Sequence, residues 1–198
     1  MVTTKKILSR GRPRSFDPDA AIEAAQQLFQ QRGYDGVGVA EIGKAMGITP
    51  PSFYNAFGSK AALFDRVLDR YEGATRFVPE ALSGEGDVAA AIERVLRGAA
   101  LFYTDRDGAA GCLVLDGTRG SQDSEARALT ARRMARSRDL IAARIAQDIP
   151  DRADELALMV VIALKGMSAA ARDGASRYDL TDFADMAAAG FRAAIAGK

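Results

Sequence analysis

The chain has 198 residues, 48% of them hydrophobic and 27% charged, a balance typical of a soluble globular protein with a sizeable core. It contains no histidine and one cysteine, which excludes an internal disulfide, a Cys/His zinc site and every histidine-based catalytic triad. The net charge of +1 hides an asymmetry: residues 1–60 carry eight Lys/Arg against five Asp/Glu, whereas residues 61–198 carry nineteen against twenty-one.

Residues 1–14 form a basic arm. Lys5, Lys6, Arg10, Arg12 and Arg14 occur there with no acid, and Gly11 and Pro13 interrupt any regular element, so no fixed structure is expected in the free protein. A basic end on a slightly acidic remainder fits a polyanionic partner at that end, or a solubilising tail. Asp17 and Pro18 then open a helix whose apolar stripe is Ile22, Ala25, Leu28 and Phe29, and Gly33 closes it.

Residues 41–57 read as two short helices joined by a tight turn. Ile42, Ala45 and Met46 fall on one helical face, and Gly47 is a natural stop. Thr49 can cap a second helix, with Pro50 and Pro51 in its first turn, where the N–H groups lack helical partners. Phe53 and Phe57 turn that helix inward and leave Ser52, Tyr54 and Asn55 pointing elsewhere. This is a helix-turn-helix, whose second helix can lie in a DNA major groove. Such hairpins also occur in many all-α proteins as plain structure, so the turn alone does not decide between the two.

Ser59 can cap the next helix, where Leu63, Phe64, Val67, Leu68 and Tyr71 recur at helical spacing to about Phe77; Pro79 and the loop at 83–86 close it. Val88, Ala91, Ile92, Val95, Leu96 and Ala99 mark another helix reaching Tyr103. After a turn at 105–111 comes a short apolar piece at 112–115. A long helix from 124 to about 148 has Leu129, Ile141 and Ile145 inward, with Arg127, Arg132, Arg133, Arg136 and Arg138 largely outward; Pro150 stops it. Helices at 152–172 and 180–196 complete the chain. No alternating strand pattern is present, so an all-α fold of about nine helices is expected.

Three stretches make the family legible: GRPRSFD at 11–17 with the helix through Phe29, AEIGKAMGI at 40–48, and TPPSFYNAFGSKAALF at 49–64. Together they resemble the DNA-binding domain of the TetR family of repressors, and the Phe-Tyr-x-x-Phe-x-Ser-Lys run is the most specific part. The resemblance covers about 60 residues and fades after about residue 72. It implies an arm at 1–14, a helix-turn-helix domain at 15–61 and a ligand-binding and dimerisation domain at 62–198.

On this reading the recognition helix offers Thr49, Pro51, Ser52 and Asn55 to DNA. Asn reads adenine bidentately, Ser is less selective, and proline offers apolar contact to a thymine methyl. Tyr54 and Lys60 stand where the family contacts phosphates, which set register rather than sequence. Arg12 and Arg14 resemble family arms lying in a narrow minor groove, whose negative potential suits arginine. Four positions depart from the family pattern. Val37 and Gly38 replace the usual hydroxyl cap, Gly43 replaces a common Ala, and Ala56 replaces a frequent aromatic.

The resemblance also implies a homodimer built on the last two helices. The apolar faces available are Leu156, Val160, Ala163, Leu164 and Met167 on one, and Phe183, Ala187, Gly190, Phe191 and Ala194 on the other; these can instead pack within one protomer. Two-fold symmetry calls for a pseudo-palindromic double-stranded operator with half-sites about 34 Å apart, or a multiple of that. A small-molecule effector would bind among Phe77, Phe102, Tyr103, Cys112, Met134 and Met167, all of which also suit plain core.

Gly111–Cys112–Leu113 resembles a segment of some family C-terminal domains. Cys112 stands at a helix start that can lower its thiol pKa, which leaves open a redox-responsive regulator beside a ligand-independent one. An enzyme or docking module with a vestigial DNA head is the remaining alternative. No residues are spaced for catalysis, so no enzyme, metal or cofactor is expected. No apolar run approaches the ~18 residues of a membrane span and no signal peptide is evident, so a cytoplasmic protein is expected.

Overall fold

A computed structural model of the protein describes residues 17–104 and 109–197. The regular elements of the described residues are all helices, and no strand occurs among them. The helices are α1 (Pro18–Arg32), α2 (Val39–Met46), α3 (Pro50–Phe57), α4 (Lys60–Thr75), α5 (Phe77–Ser83), α6 (Val88–Thr104), α7 (Leu113–Asp116), α8 (Ser124–Ala146), α9 (Ala153–Arg172) and α10 (Arg177–Ala196), with a 3-10 turn at Pro150–Arg152. The basic arm with Arg12 and Arg14 lies outside the described residues.

The punctuation residues act where their chemistry places them. The Asp17 carboxylate accepts from the N–H groups of Asp19 and Ala20, and the Ser59 hydroxyl accepts from Ala62 N–H at 2.9 Å. Gly33 and Gly47 end α1 and α2 with φ of 71° and 69°. Gly38 begins α2 with no side-chain cap, consistent with the missing hydroxyl. A Cβ on Gly43 would stand 2.9 Å from the Ile48 carbonyl oxygen, so this glycine lets α2 lie close to the turn that leads into α3.

The head is formed by α1, α2 and α3 around the start of α4. Phe29, Ile42, Phe53, Phe57 and Phe64 are all buried in its core. Phe29 meets the Phe64 ring edge-on at 5.0 Å and Phe53 packs on Phe57 at 5.4 Å. Ala45 does not share this face. It is exposed, and the stripe that α2 buries is Ile42 and Gly43 with Met46 half-buried.

From the head, α4 runs into the body, where it packs on α7 and α8. There α6 lies against α5, α9 and α10, and α8 lies against α9. Three features of the body depart from expectation. First, the chain breaks at Arg76 and adds a separate helix, α5; Pro79 is its third residue and is tolerated because first-turn N–H groups need no helical partner. Second, α10 begins at Arg177, three residues early, because Ser176 and Asp179 form a reciprocal capping box. Third, Arg133 is not outward. It is buried and reaches from α8 to α4, where it pairs with Asp65 at 2.9 Å, Asp69 at 2.5 Å and Glu72 at 3.0 Å.

Candidate functional site

The outer face of α3 presents Pro51, Ser52, Tyr54 and Asn55 to solvent, above the buried Phe53 and Phe57. Tyr54 is 53% exposed and lies edge-on to Phe53 at 5.4 Å, so its ring is braced from beneath while its hydroxyl points away from the core. Thr49 occupies the N-cap position but does not cap the backbone. Its hydroxyl pairs with the Ser52 hydroxyl at 3.1 Å. Pro50 and Pro51 have no N–H, so the hydroxyl finds no donor in the first turn except at Ser52, and α3 offers few free N–H groups to a phosphate.

Lys60 begins α4 beside this face. It is half-buried, and its ammonium lies 4.0 Å from the centre of the Tyr34 ring. Such a contact is worth about 0.5–2 kcal/mol as it becomes desolvated. Burial pushes the Lys60 pKa down, against the pull of the Asp35 and Asp123 carboxylates. Tyr34 is itself held from the body. Its hydroxyl donates to Asp123 at 2.9 Å and its N–H donates to the Gly117 carbonyl at 2.7 Å. Asp35 accepts from the Ser121 hydroxyl at 2.9 Å, and Arg172 donates to the Gln30 carbonyl at 3.3 Å. These four bonds join head to body. Sequence reasoning missed Tyr34 and Asp123 as supports of Lys60, since nothing in their spacing links them.

Behind the head, the body contains a cavity of about 200 Å³. Phe77, Phe102, Tyr103, Cys112 and Met134 all line it, together with Tyr71, Val161 and Leu164. Phe77 stacks on Phe102 at 5.2 Å and Tyr71 meets Phe102 edge-on at 5.8 Å. Met167 is not part of the wall; it is packed in the core. Cys112 is buried, and burial pushes its thiol pKa up, opposed by a hydrogen bond with Tyr71 and by backbone groups of α7. Burial thus outweighs the lowering that a helix start can bring, as an inert buried thiol requires. The helix it caps has a single turn, too little to outweigh desolvation.

Cys112 N–H donates to the Ser168 hydroxyl at 2.8 Å, and that hydroxyl donates in turn to the buried carboxylate of Asp116. Asp116 also pairs with Arg119 at 2.6 Å. The helix α7 is thus tied to α9 at both ends of its single turn.

Most of the side chains expected at a dimer interface lie inside the protomer. Leu156, Val160, Leu164, Met167 and Phe191 are buried, and Ala163, Ala187 and Ala194 are half-buried. Phe183 and Gly190 are exposed. The outward apolar surface of α9 is instead Leu158, Met159 and Ile162, joined on α10 by Phe183 and Met186, with Ile162 59% and Met186 60% exposed. Among the described residues no group of His, Cys, Asp or Glu is arranged to hold a metal, and no helix is long and apolar enough to cross a membrane.

A three-helix head with an exposed recognition helix, docked on a helical body with a cavity, defines a helix-turn-helix DNA-binding regulator. A family model described as bacterial regulatory proteins, tetR family, matches residues 21–67. The chain is 42% identical over 189 residues to the HTH-type transcriptional repressor BdcR of Escherichia coli (strain K12), covering 94% of this chain and 95% of that one. It is 35% identical to the repressor ComR of the same organism, over 89% of each chain. Among solved structures it resembles a cysteine mutant of the TetR family regulator CifR complexed with 26-base-pair operator DNA, with a TM-score of 0.81, 33% identity, and coverage of 90% of this chain and 98% of that one. The chain belongs to the TetR family of bacterial transcriptional regulators, which is not a class of enzymes.

Proposed function

We propose that the protein is a homodimeric repressor that binds a pseudo-palindromic operator and is released by a small molecule held in the body. The observation that carries this reading is the juxtaposition of Tyr54 and Asn55, exposed on α3, with Lys60, held against Tyr34 at the start of α4. Tyr54 and Lys60 contact phosphates, and Ser52, Asn55 and Pro51 face base edges; Thr49 contributes its hydroxyl through Ser52. Arg12 and Arg14 add minor-groove contacts from the arm. The DNA-binding domain spans 15–61 and the remainder, 62–198, binds effector and partner.

The partner protomer packs on Leu158, Met159 and Ile162 of α9 and Phe183 and Met186 of α10. Gly166 and Gly190, whose surroundings are open, admit close helix approach there. The cavity lined by Phe77, Phe102, Tyr103, Cys112 and Met134 takes the effector. To release DNA, that molecule must bind the non-operator state more tightly, and the coupling is reciprocal.

The test is fluorescence anisotropy on the DNA upstream of the gene, across a salt series. Selective binding with a steep negative salt slope, two protomers or a multiple per site, is expected. Tyr54→Ala and Lys60→Ala should each weaken binding while the dimer stays folded, but only Lys60→Ala, which removes a cation, should flatten the slope by about one phosphate contact. Binding no better than to random DNA, with both variants silent, would remove the proposal.

A further inference from the structure

The cavity in the body has two kinds of wall. Its interior is aromatic and aliphatic, whereas its rim carries two exposed arginines, Arg76 from the junction of α4 and α5 and Arg136 from α8. Neither arginine makes a side-chain hydrogen bond or ion pair among the described residues. The contrast with Arg133, less than one turn away on the same helix, is direct: three carboxylates of α4 engage it. One of those is Glu72, the only acid in the cavity wall among the described residues, and its carboxylate is 3.0 Å from Arg133. Among the described residues, Arg76 and Arg136 therefore border an apolar hollow with no wall carboxylate free to answer them.

A guanidinium beside a low-dielectric cavity favours an anion more than it would in open water, and its planar fork matches a carboxylate. A cavity of about 200 Å³ falls below the ~300–1,000 Å³ of pockets for drug-sized molecules, so the ligand is small. The ring-rich interior suits an aryl or short alkyl body. We propose that the cavity binds a small amphipathic carboxylate, its apolar body against Phe77 and Phe102 and its carboxylate at Arg76 and Arg136. Ser137, also on the wall, offers the same oxygen atoms a hydroxyl donor. This inference rests on the effector reading of the same cavity.

The experiment is isothermal titration calorimetry on the full chain with three matched sets: phenylacetate, 4-phenylbutyrate and hexanoate, each beside its amide and its amine analogue. At least one carboxylate should bind about tenfold or more tighter than its amide, with the amine weakest. In the double variant Arg76→Gln/Arg136→Gln the carboxylate should fall to within about twofold of the amide, whose own affinity should not move. Both arginines are exposed, so neither change threatens the fold.

The ligand class is overturned if no carboxylate binds, if none exceeds its amide, or if the advantage survives the double substitution. Operator release measured in parallel separates the two readings. A carboxylate that binds through the arginines without weakening operator binding keeps the ligand class and removes the effector role. An amide that releases the operator as well as the carboxylate does keeps the role and removes the class.

Discussion

The phenolic hydroxyl of Tyr34 donates a 2.9 Å hydrogen bond to the carboxylate of Asp123, 89 residues further along the chain. Tyr34 lies in the loop between α1 and α2, whereas Asp123 is the N-cap of α8, where its other oxygen accepts from Ala126 N–H at 3.0 Å. The same tyrosine ring carries the Lys60 ammonium on its face. One side chain of the head is thus gripped by the body at its hydroxyl and holds the Lys60 ammonium on its ring.

Replacing Tyr34 with Phe keeps the ring and deletes the bond. A hydrogen bond to a charged acceptor in a part-buried site is worth about 1–2 kcal/mol, and the loss should appear in urea unfolding. Burial and the Asp123 contact raise the Tyr34 pKa well above its ordinary value. A group with a raised folded pKa contributes stability that is complete below the unfolded value, near ~10 for tyrosine, and that is lost as pH rises toward the folded one. The wild-type midpoint should therefore fall more steeply above pH ~10 than that of Tyr34→Phe. Parallel curves would show that this phenol is not held neutral by the fold.

Arg133→Met removes a buried cation and leaves Asp65, Asp69 and Glu72 facing one another. The usual cost of breaking a buried ion pair is about 3–5 kcal/mol, reduced here because Asp69 and Asp65 remain in contact with water. A loss of about 2–3 kcal/mol in chemical unfolding is expected. A value under about 0.5 kcal/mol would mean that α8 does not depend on this link to α4.

Ser168→Ala should cost about 1–3 kcal/mol, because it strands two buried partners, the Cys112 N–H and an Asp116 carboxylate oxygen. Amide hydrogen exchange at residues 112–117 should quicken more than in the head, since this hydroxyl ties α7 to α9. Uniform protection across the chain would contradict that.

Charges placed on the outward apolar surface of α9 and α10 should separate protomers. Ile162→Glu and Met186→Glu alter exposed side chains, so each should fold normally yet shift light-scattering mass toward a monomer and weaken operator binding at least tenfold. A dimer of unchanged stability would place the interface elsewhere.

The head was readable because its signals are local. Asp17 before Pro18, Ser59 before Lys60, and Gly33 and Gly47 after their helices each act through backbone groups only a few residues away. The outward face of α9 was not readable. Residues 156–164 are apolar without interruption, so no periodicity distinguishes buried Val160 from exposed Ile162. Arg133 looked like its neighbours on α8 because the acids that draw it inward belong to α4. Phe77, Phe102, Tyr103, Cys112 and Met134 share one cavity wall because apolar residues on several helices converge there, whereas nothing in the sequence marks Arg76 and Arg136 as lining it too. The separate helix α5 was hidden by Pro79, which reads as a terminator but occupies a first turn.

The four-residue helix α7 joins two neighbourhoods about 6 Å apart along its axis. Cys112 at one end lines the cavity, and just past the other end the Gly117 carbonyl receives the Tyr34 N–H. That last bond is main chain to main chain, and a side chain on Gly33 would crowd the Gly117 oxygen at 3.3 Å. A bond of this kind carries no side-chain identity. Exchanges of Phe77, Phe102 or Met134 can recast the hollow while the joint to the head is inherited intact. If the hollow holds the effector as proposed, descendants of this chain can change what they sense without relearning how to report it.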